Sequence, residues 1–339
     1  MLPAAAAGAD DTSTQVPGLD SLATATLFKA LDYLDISADE LGFDKLYAED
    51  DTFRLGIVEE LLGDPLRFPG WQEQVTGDLR DRIRDPGGLS AYLGGLCEAQ
   101  DEQAAKGEHP IQADIGAVAA GGASEVATLL TAIVERTRAA EEHLEKAFAA
   151  ITGAERAQLL MMAPVLWGDG EEAADKLRKG RLHFEQGAAV DTTIEITEDF
   201  ILDLAVKLDR VALTRAARVF LEGVTRMTAD GRSLRLPGAS QSLPGVDGEV
   251  TAIRETPWGL FVLGGPGANA YSAGALRQIA FLIEPGGDDV YRGRAASAVG
   301  GLTRPFSALI DLAGDDFYDA RSCSYALGGA VLGIAALVD

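Results

Sequence analysis

The sequence predicts an α+β fold with its helices and strands segregated: an N-terminal all-α domain followed by a C-terminal β-solenoid, a parallel β-helix-like stack of repeated turns. Two observations predict it. The hydrophobic period changes from helical to strand-like near residue 229, and a glycine–aspartate turn recurs after residue 248. The expected boundaries are a flexible leader over 1–18, a helical domain over 19–228, a linker over 229–247 and solenoid repeats over 248–339 that end mid-repeat.

The leader is built of Ala, Gly, Asp, Thr and Pro, which offer little to bury. In the helical region Leu22, Leu27, Leu31 and Leu34 recur at near-helical spacing. Ser37-Ala-Asp-Glu40 and Thr152-Gly-Ala-Glu155 read as capping boxes, in which the hydroxyl and the carboxylate satisfy each other's backbone donors at a helix start. Ser124 to Ile151 places Val126, Leu129, Leu130, Ile133 and Val134 on one face, and Glu135, Arg136, Arg138, Glu141, Glu142 and Lys146 on a face expected to be solvated. One further long helix is expected from Thr197 to about Thr228. Four turn signals follow within 229–247: Asp230-Gly231, Leu236-Pro237-Gly238, Leu243-Pro244-Gly245 and Asp247-Gly248.

Beyond Gly248 short apolar runs enter a shared turn. Glu284-Pro-Gly-Gly287-Asp288-Asp289-Val-Tyr291 is matched position for position by Asp311-Leu-Ala-Gly314-Asp315-Asp316-Phe-Tyr318. A degenerate copy, Gly264-Gly-Pro-Gly267-Ala-Asn269-Ala-Tyr271, precedes both, with Asn269 where the later copies have Asp289 and Asp316. Arg294 and Ser297 recur in the same register as Arg321 and Ser324. Equivalent residues of stacked strands lie about 4.8 Å apart. Glu284, Asp288, Asp289, Asp311, Asp315 and Asp316 would therefore gather up to six carboxylates, whose mutual repulsion at such distances costs tenths of a kcal/mol to a few kcal/mol per pair. Either one acid of each pair turns to water, or a cation neutralises the stack. Ca²⁺, which takes six to eight oxygen ligands, suits carboxylates beside glycine carbonyls.

These turns resemble the calcium-binding Gly-Asp repeats of RTX proteins, G-G-x-G-x-D-x-U-x. Gly264-Gly265-Pro-Gly267-Ala-Asn269-Ala-Tyr271-Ser272 fits that pattern with Asn for Asp, and the later copies keep its G-x-D-x-Y portion. They also resemble the D-x-x-G-D-D-x-Y repeats of large bacterial envelope proteins. The resemblance implies structural calcium. The period departs from it, being roughly two to three times the nonapeptide period of RTX repeats.

Composition narrows the function classes. A net charge of −24 over 339 residues repels nucleic acid and anionic membrane. No stretch is long and apolar enough for a membrane-spanning helix. Seven Lys against twenty-two Arg fit either a halophile or a GC-rich genome. Cys97 and Cys323 show no metal or disulfide spacing and read as free, at least partly buried thiols. His109, His143 and His183 form no metal or triad motif, and neither a P-loop nor a dinucleotide fingerprint is present. The leading expectation is a non-enzymatic, exported protein for structural, assembly or adhesion roles, self-associating or meeting a partner at its C-terminal end. The rival is a polysaccharide lyase or hydrolase using Asp289, Asp316, Arg294 and Arg321. A pure interaction module acting through the helical domain is a third reading.

Overall fold

The computed structural model describes residues 15–42, 55–97, 122–162, 198–234, 236, 240–299, 304–320 and 325–339. The chain divides into two compact units, Met1–Arg84 and Asp85–Asp339. Among the described residues no helix is long and apolar enough to cross a membrane.

The first unit holds α1 (Ser21–Tyr33), α2 (Gly56–Gly63) and α3 (Phe68–Arg82). The Asp20 carboxylate caps α1 by accepting from the Ala23 N–H. The expected capping box at Ser37 forms: its N–H donates to Glu40 Oε2 at 2.8 Å, opening a 3-10 turn over Ala38–Glu40.

In the second unit the helices are α4 (Pro86–Leu96), α5 (Gly122–Ala147), α6 (Gly153–Met162), α7 (Glu198–Val206) and α8 (Arg210–Ser233). The capping box at α6 is present, with Glu155 Oε2 accepting from the Thr152 N–H and Thr152 Oγ1 from the Glu155 N–H. The single helix expected from Thr197 to Thr228 is instead two. It breaks at Lys207–Asp209, where the Asp209 carboxylate accepts from the Ala212 N–H and starts α8 afresh. Cys97, at the end of α4, is free but exposed, where a partly buried thiol was expected.

The strands are β1 (Val246–Asp247), β2 (Val250–Thr256), β3 (Gly259–Gly264), β4 (Ala270–Tyr271), β5 (Ile279–Glu284), β6 (Val290–Arg292), β7 (Ala298–Val299), β8 (Phe306–Asp311), β9 (Phe317–Asp319), β10 (Ala330–Val331) and β11 (Ile334–Val338). A four-residue helix, α9 (Ala273–Leu276), links β4 to β5. They make a five-stranded sheet in the order β11-β8-β5-β3-β2, a four-stranded sheet β1-β4-β6-β9 and a two-stranded pair β10-β7.

One part of the expected fold is corrected here. The β-solenoid does not form as such: the sheets are mixed, because β2 folds back antiparallel on β3 and β1 runs antiparallel to β4. Helices do precede strands along the chain, apart from the short α9, yet the two layers pack together. One hydrophobic core is shared by Val126, Leu129, Ile133 and Leu144 of α5, Val219, Phe220 and Val224 of α8, and Phe261, Phe281 and Phe306 of the five-stranded sheet. Phe220 lies 5.1 Å, centroid to centroid, from Phe306. Trp258 stands edge-on to Phe281 and donates its Nε1–H to Glu141 Oε1 at 2.9 Å, so Glu141 anchors α5 to the sheet where a solvated side chain was expected.

The physical reason is legible in the strands. In β5, Phe281 and Ile283 face the helices while Leu282 faces the other way; in β8, Phe306, Ala308 and Ile310 face the helices and Leu309 does not. A strand apolar on both faces demands cover on both. The helices cover one face. The other closes over Tyr271, Tyr291, Ala275, Leu276 and Ala295 in a second core. Parallel neighbours are equivalent positions of successive repeats, Phe281 beside Ala308 and Glu284 beside Asp311, and this pairing brings the acidic turns together.

Candidate metal centre

Strands β3, β5 and β8 each end in a turn that leads to β4, β6 and β9 of the four-stranded sheet. The turns need glycine: Gly287 and Gly314 have φ of +122° and +150°, and a Cβ on Gly314 would collide with the carbonyl oxygen of Gly287. Close backbone approach then lets each turn's side chain reach the turn before it. Asn269 Oδ1 accepts from the Glu249 N–H at 2.6 Å, Asp289 Oδ1 from the Asn269 N–H at 2.6 Å, and Asp316 Oδ1 from the Asp289 N–H at 2.7 Å. One oxygen of each side chain thus satisfies a backbone donor that no strand ladder reaches.

Three tyrosines stack beside this column. Tyr271 and Tyr291 lie 5.4 Å apart at 7° between planes, and Tyr291 and Tyr318 lie 4.9 Å apart at 14°. Each of the first two donates its hydroxyl forward to the acid that ends the next central strand. Tyr271 bonds Glu284 Oε1, and Tyr291 bonds Asp311 Oδ2 at 2.6 Å. The Tyr291 hydroxyl also lies 3.3 Å from Asp289 Oδ2. Burial holds the Tyr271 and Tyr291 phenols far above their ordinary range, so they stay protonated and able to donate.

The six acids singled out in the sequence divide into three fates. Asp288 and Asp315 are exposed, and the Asp315 N–H donates to Asp288 Oδ1 at 3.1 Å. Glu284 is wholly buried and held by neutral donors, the Tyr271 hydroxyl and the Asn269 amide at 3.2 and 3.3 Å. Burial pushes its carboxyl up to about 9, so it is protonated at neutral pH. Asp289, Asp311 and Asp316 come together, each offering a carboxylate oxygen within 4.8 Å of the others, and can hold a metal ion.

This triad is electrostatically stressed. Burial, together with the Asp316 charge, raises Asp289 to about 6. Asp311 is raised as well, by burial first and then by the charges of Asp316 and Asp289. Two of its oxygens, Asp311 Oδ1 and Asp316 Oδ2, are buried and accept no hydrogen bond, while the others are taken by Tyr291 and by backbone N–H groups. Unsatisfied buried carboxylate oxygens are costly, at about 1–3 kcal/mol or more each. Two of them beside a third carboxylate form the donor set of a hard cation.

That the tyrosine hydroxyls and the Asn269 amide would hold the acids went unread in the sequence, although Tyr271, Tyr291 and Tyr318 share the position two after Asn269, Asp289 and Asp316. Of the groups expected for polysaccharide cleavage, Asp289 and Asp316 belong to the acidic triad, and Arg294 lines a cleft with Trp258 and Arg304. Arg321, Ser324, Cys323, His109 and His183 fall outside the described residues. No protein-family model, curated protein or solved structure matches this chain.

Proposed function

We propose that this protein is a calcium-stabilised structural protein in which Ca²⁺ bound by Asp289, Asp311 and Asp316 ties neighbouring turns of the parallel strands together. The reading rests above all on the gathering of Asp289, Asp311 and Asp316, two of which carry a buried oxygen without a hydrogen bond, Asp311 Oδ1 and Asp316 Oδ2. A role in the scaffold suits these residues better than catalysis, since their remaining oxygens are spent on the backbone and on Tyr291. Three carboxylates without a dedicated cage correspond to modest affinity, of the order of 10⁻⁴–10⁻³ M as in extracellular calcium modules. Such a site fills outside the cell, which supports export and a part in adhesion or assembly. For assembly, β11 is an outer strand of the five-stranded sheet and offers a pairing edge to a second copy.

Thermal unfolding in EGTA and in excess Ca²⁺ tests the site. Occupancy at a hundred times Kd adds about 2.7 kcal/mol, a rise in Tm of roughly 5–10 °C for a unit of this size. Asp311→Asn should abolish that rise. An unchanged Tm with no calcium retained after dialysis would show that the carboxylates are not a metal site.

A further inference from the structure

At the opposite end of the strands from the acidic column, a cleft of about 580 Å³ opens among Trp258, Leu260, Leu276, Arg277, Arg294 and Arg304. Its charge runs against the rest of the chain. The protein carries −24 overall, yet among the described residues of the lining there are three arginines and one carboxylate, the exposed Glu255. Arg277 and Arg304 occupy equivalent positions of successive repeats, each just before its strand, β5 or β8, in the register that pairs Phe281 with Ala308. Neighbouring strands are about 4.8 Å apart, so two guanidinium-bearing residues stand on successive strands.

Arg304 fixes this arrangement. Its guanidinium donates to the carbonyls of Ile279 and Arg277, and it is held by these neutral acceptors with its charge retained. The apolar walls supplied by Trp258, Leu260 and Leu276 lower the local dielectric and strengthen the field of those charges. Gln278 and the largely buried Ser297 add polar groups to the lining. The volume falls within the range of small-molecule sites.

We infer that this cleft binds a small organic oxyanion, a carboxylate or a phosphate ester, whose charged head is held by Arg277 and Arg294 and whose body lies on Trp258, Leu260 and Leu276. Guanidinium forks match the two-oxygen edge of both head groups. The cleft shares no residue with the calcium site, so either inference stands or falls alone.

The test is titration calorimetry of the full chain in EGTA at low salt, with galacturonate as the carboxylate probe and glucose 6-phosphate as the phosphate probe. Chloride and uncharged glucose serve as blanks. Saturable binding of one probe, weakened about tenfold or more in Arg277→Gln and in Arg294→Gln, is expected. The probe bound more tightly identifies the head group. Raising NaCl should weaken it further. Arg254→Gln, outside the cleft, should bind as the wild type does. Gln278→Glu, which puts a carboxylate on the exposed lining without touching an arginine, should abolish binding even if an arginine variant folds poorly. Absence of saturable binding by both probes, or binding unaltered in Gln278→Glu and the arginine variants, would overturn the assignment.

Discussion

Two successive levels of the tyrosine–acid column make nearly the same contacts and differ in one functional group. At the first, Asn269 and Tyr271 both donate to Glu284; at the second, Tyr291 alone donates to Asp311, with Asp289 Oδ2 3.3 Å from the same hydroxyl. At both, the Asx side chain takes a backbone N–H from the turn before, and the tyrosine hydroxyl reaches forward to the acid. The Asn269 amide, however, has two N–H groups to give Glu284, whereas Asp289 has none to give Asp311. The first level is closed with neutral donors and a protonated carboxyl. The second is left with unpartnered oxygens on Asp311 and Asp316. Exchange of an amide for a carboxylate separates a self-sufficient hydrogen-bond network from one completed by a cation.

The largest effect should come from removing what the levels share. Tyr291 is fully buried, stacks on both neighbouring rings and donates to Asp311. Tyr291→Ala should cost about 3–5 kcal/mol by denaturant unfolding, from cavity formation and the further orphaned carboxylate. Tyr291→Phe keeps the stack and should lose only about 1–2 kcal/mol. Equal losses in the two variants would mean that the hydroxyl dominates and the stack contributes little.

Converting the second level towards the first should be the next largest change. Asp289→Asn keeps the side-chain carbonyl that accepts from the Asn269 N–H and supplies an amide donor towards Asp311. In EGTA this variant should be more stable than the wild type by about 1–2 kcal/mol, because a buried like-charge contact is gone. It should also lose most of the calcium-dependent rise in Tm. A variant destabilised in EGTA but still fully calcium-responsive would contradict the comparison.

The pH dependence of the calcium-free protein separates the levels by their protons. Burial raises Glu284 to about 9 and Asp289 to about 6, both above their ordinary values near 4. The folded chain therefore binds these protons more tightly than the unfolded chain does. The stability they contribute is full below about pH 4 and is lost as pH rises, through the folded value of Asp289 first and then that of Glu284. In EGTA, Tm should fall from pH 5 to pH 9. Glu284→Gln, which mimics the protonated acid, should flatten the upper part of that fall, and Asp289→Asn the lower part. A Tm that climbs with pH over this range would refute the assignment of buried protons. Calcium competes with the proton on Asp289, so its stabilisation should shrink below about pH 6.

The acidic turns were legible in the sequence because glycine, aspartate and tyrosine recur together in one register, from Gly287, Asp289 and Tyr291 to Gly314, Asp316 and Tyr318. That register named the residues of the triad, but it placed six acids in one group. The division among them depends on which way each turn points its side chains, and period alone does not carry that. Glu284 and Tyr271 belong to different copies of the turn and meet only through the pairing of β3 with β5 and β4 with β6. The helical region and the change to strands were also legible. The core shared by helices and sheet went unread although its signal was present: Ile279-Ala-Phe-Leu-Ile283 and Phe306-Ser-Ala-Leu-Ile310 are apolar on both faces but for Ser307, and such strands need a layer on each side. The apolar stripe of α5 supplies one of those layers, yet a stripe does not state whether it faces a helix or a sheet.

The smallest expected effect is also the most discriminating. Asn269→Asp would turn the first level into a copy of the second while keeping the oxygen that accepts from the Glu249 N–H. It removes the two amide contacts to Glu284 and sets a carboxylate beside it. Because Glu284 holds its proton to about pH 9, it can donate to the introduced carboxylate, which limits the loss to about 1 kcal/mol at neutral pH. With calcium the balance reverses: the introduced carboxylate, Glu284 and Asp289 would supply a second acidic group one level before the first. The variant should therefore take up more calcium than the wild type at high concentration and recover its stability there. If instead it is destabilised equally with and without calcium, carboxylates in this geometry do not suffice for a cation, and the unpartnered oxygens of Asp311 and Asp316 become the distinguishing feature of the natural site.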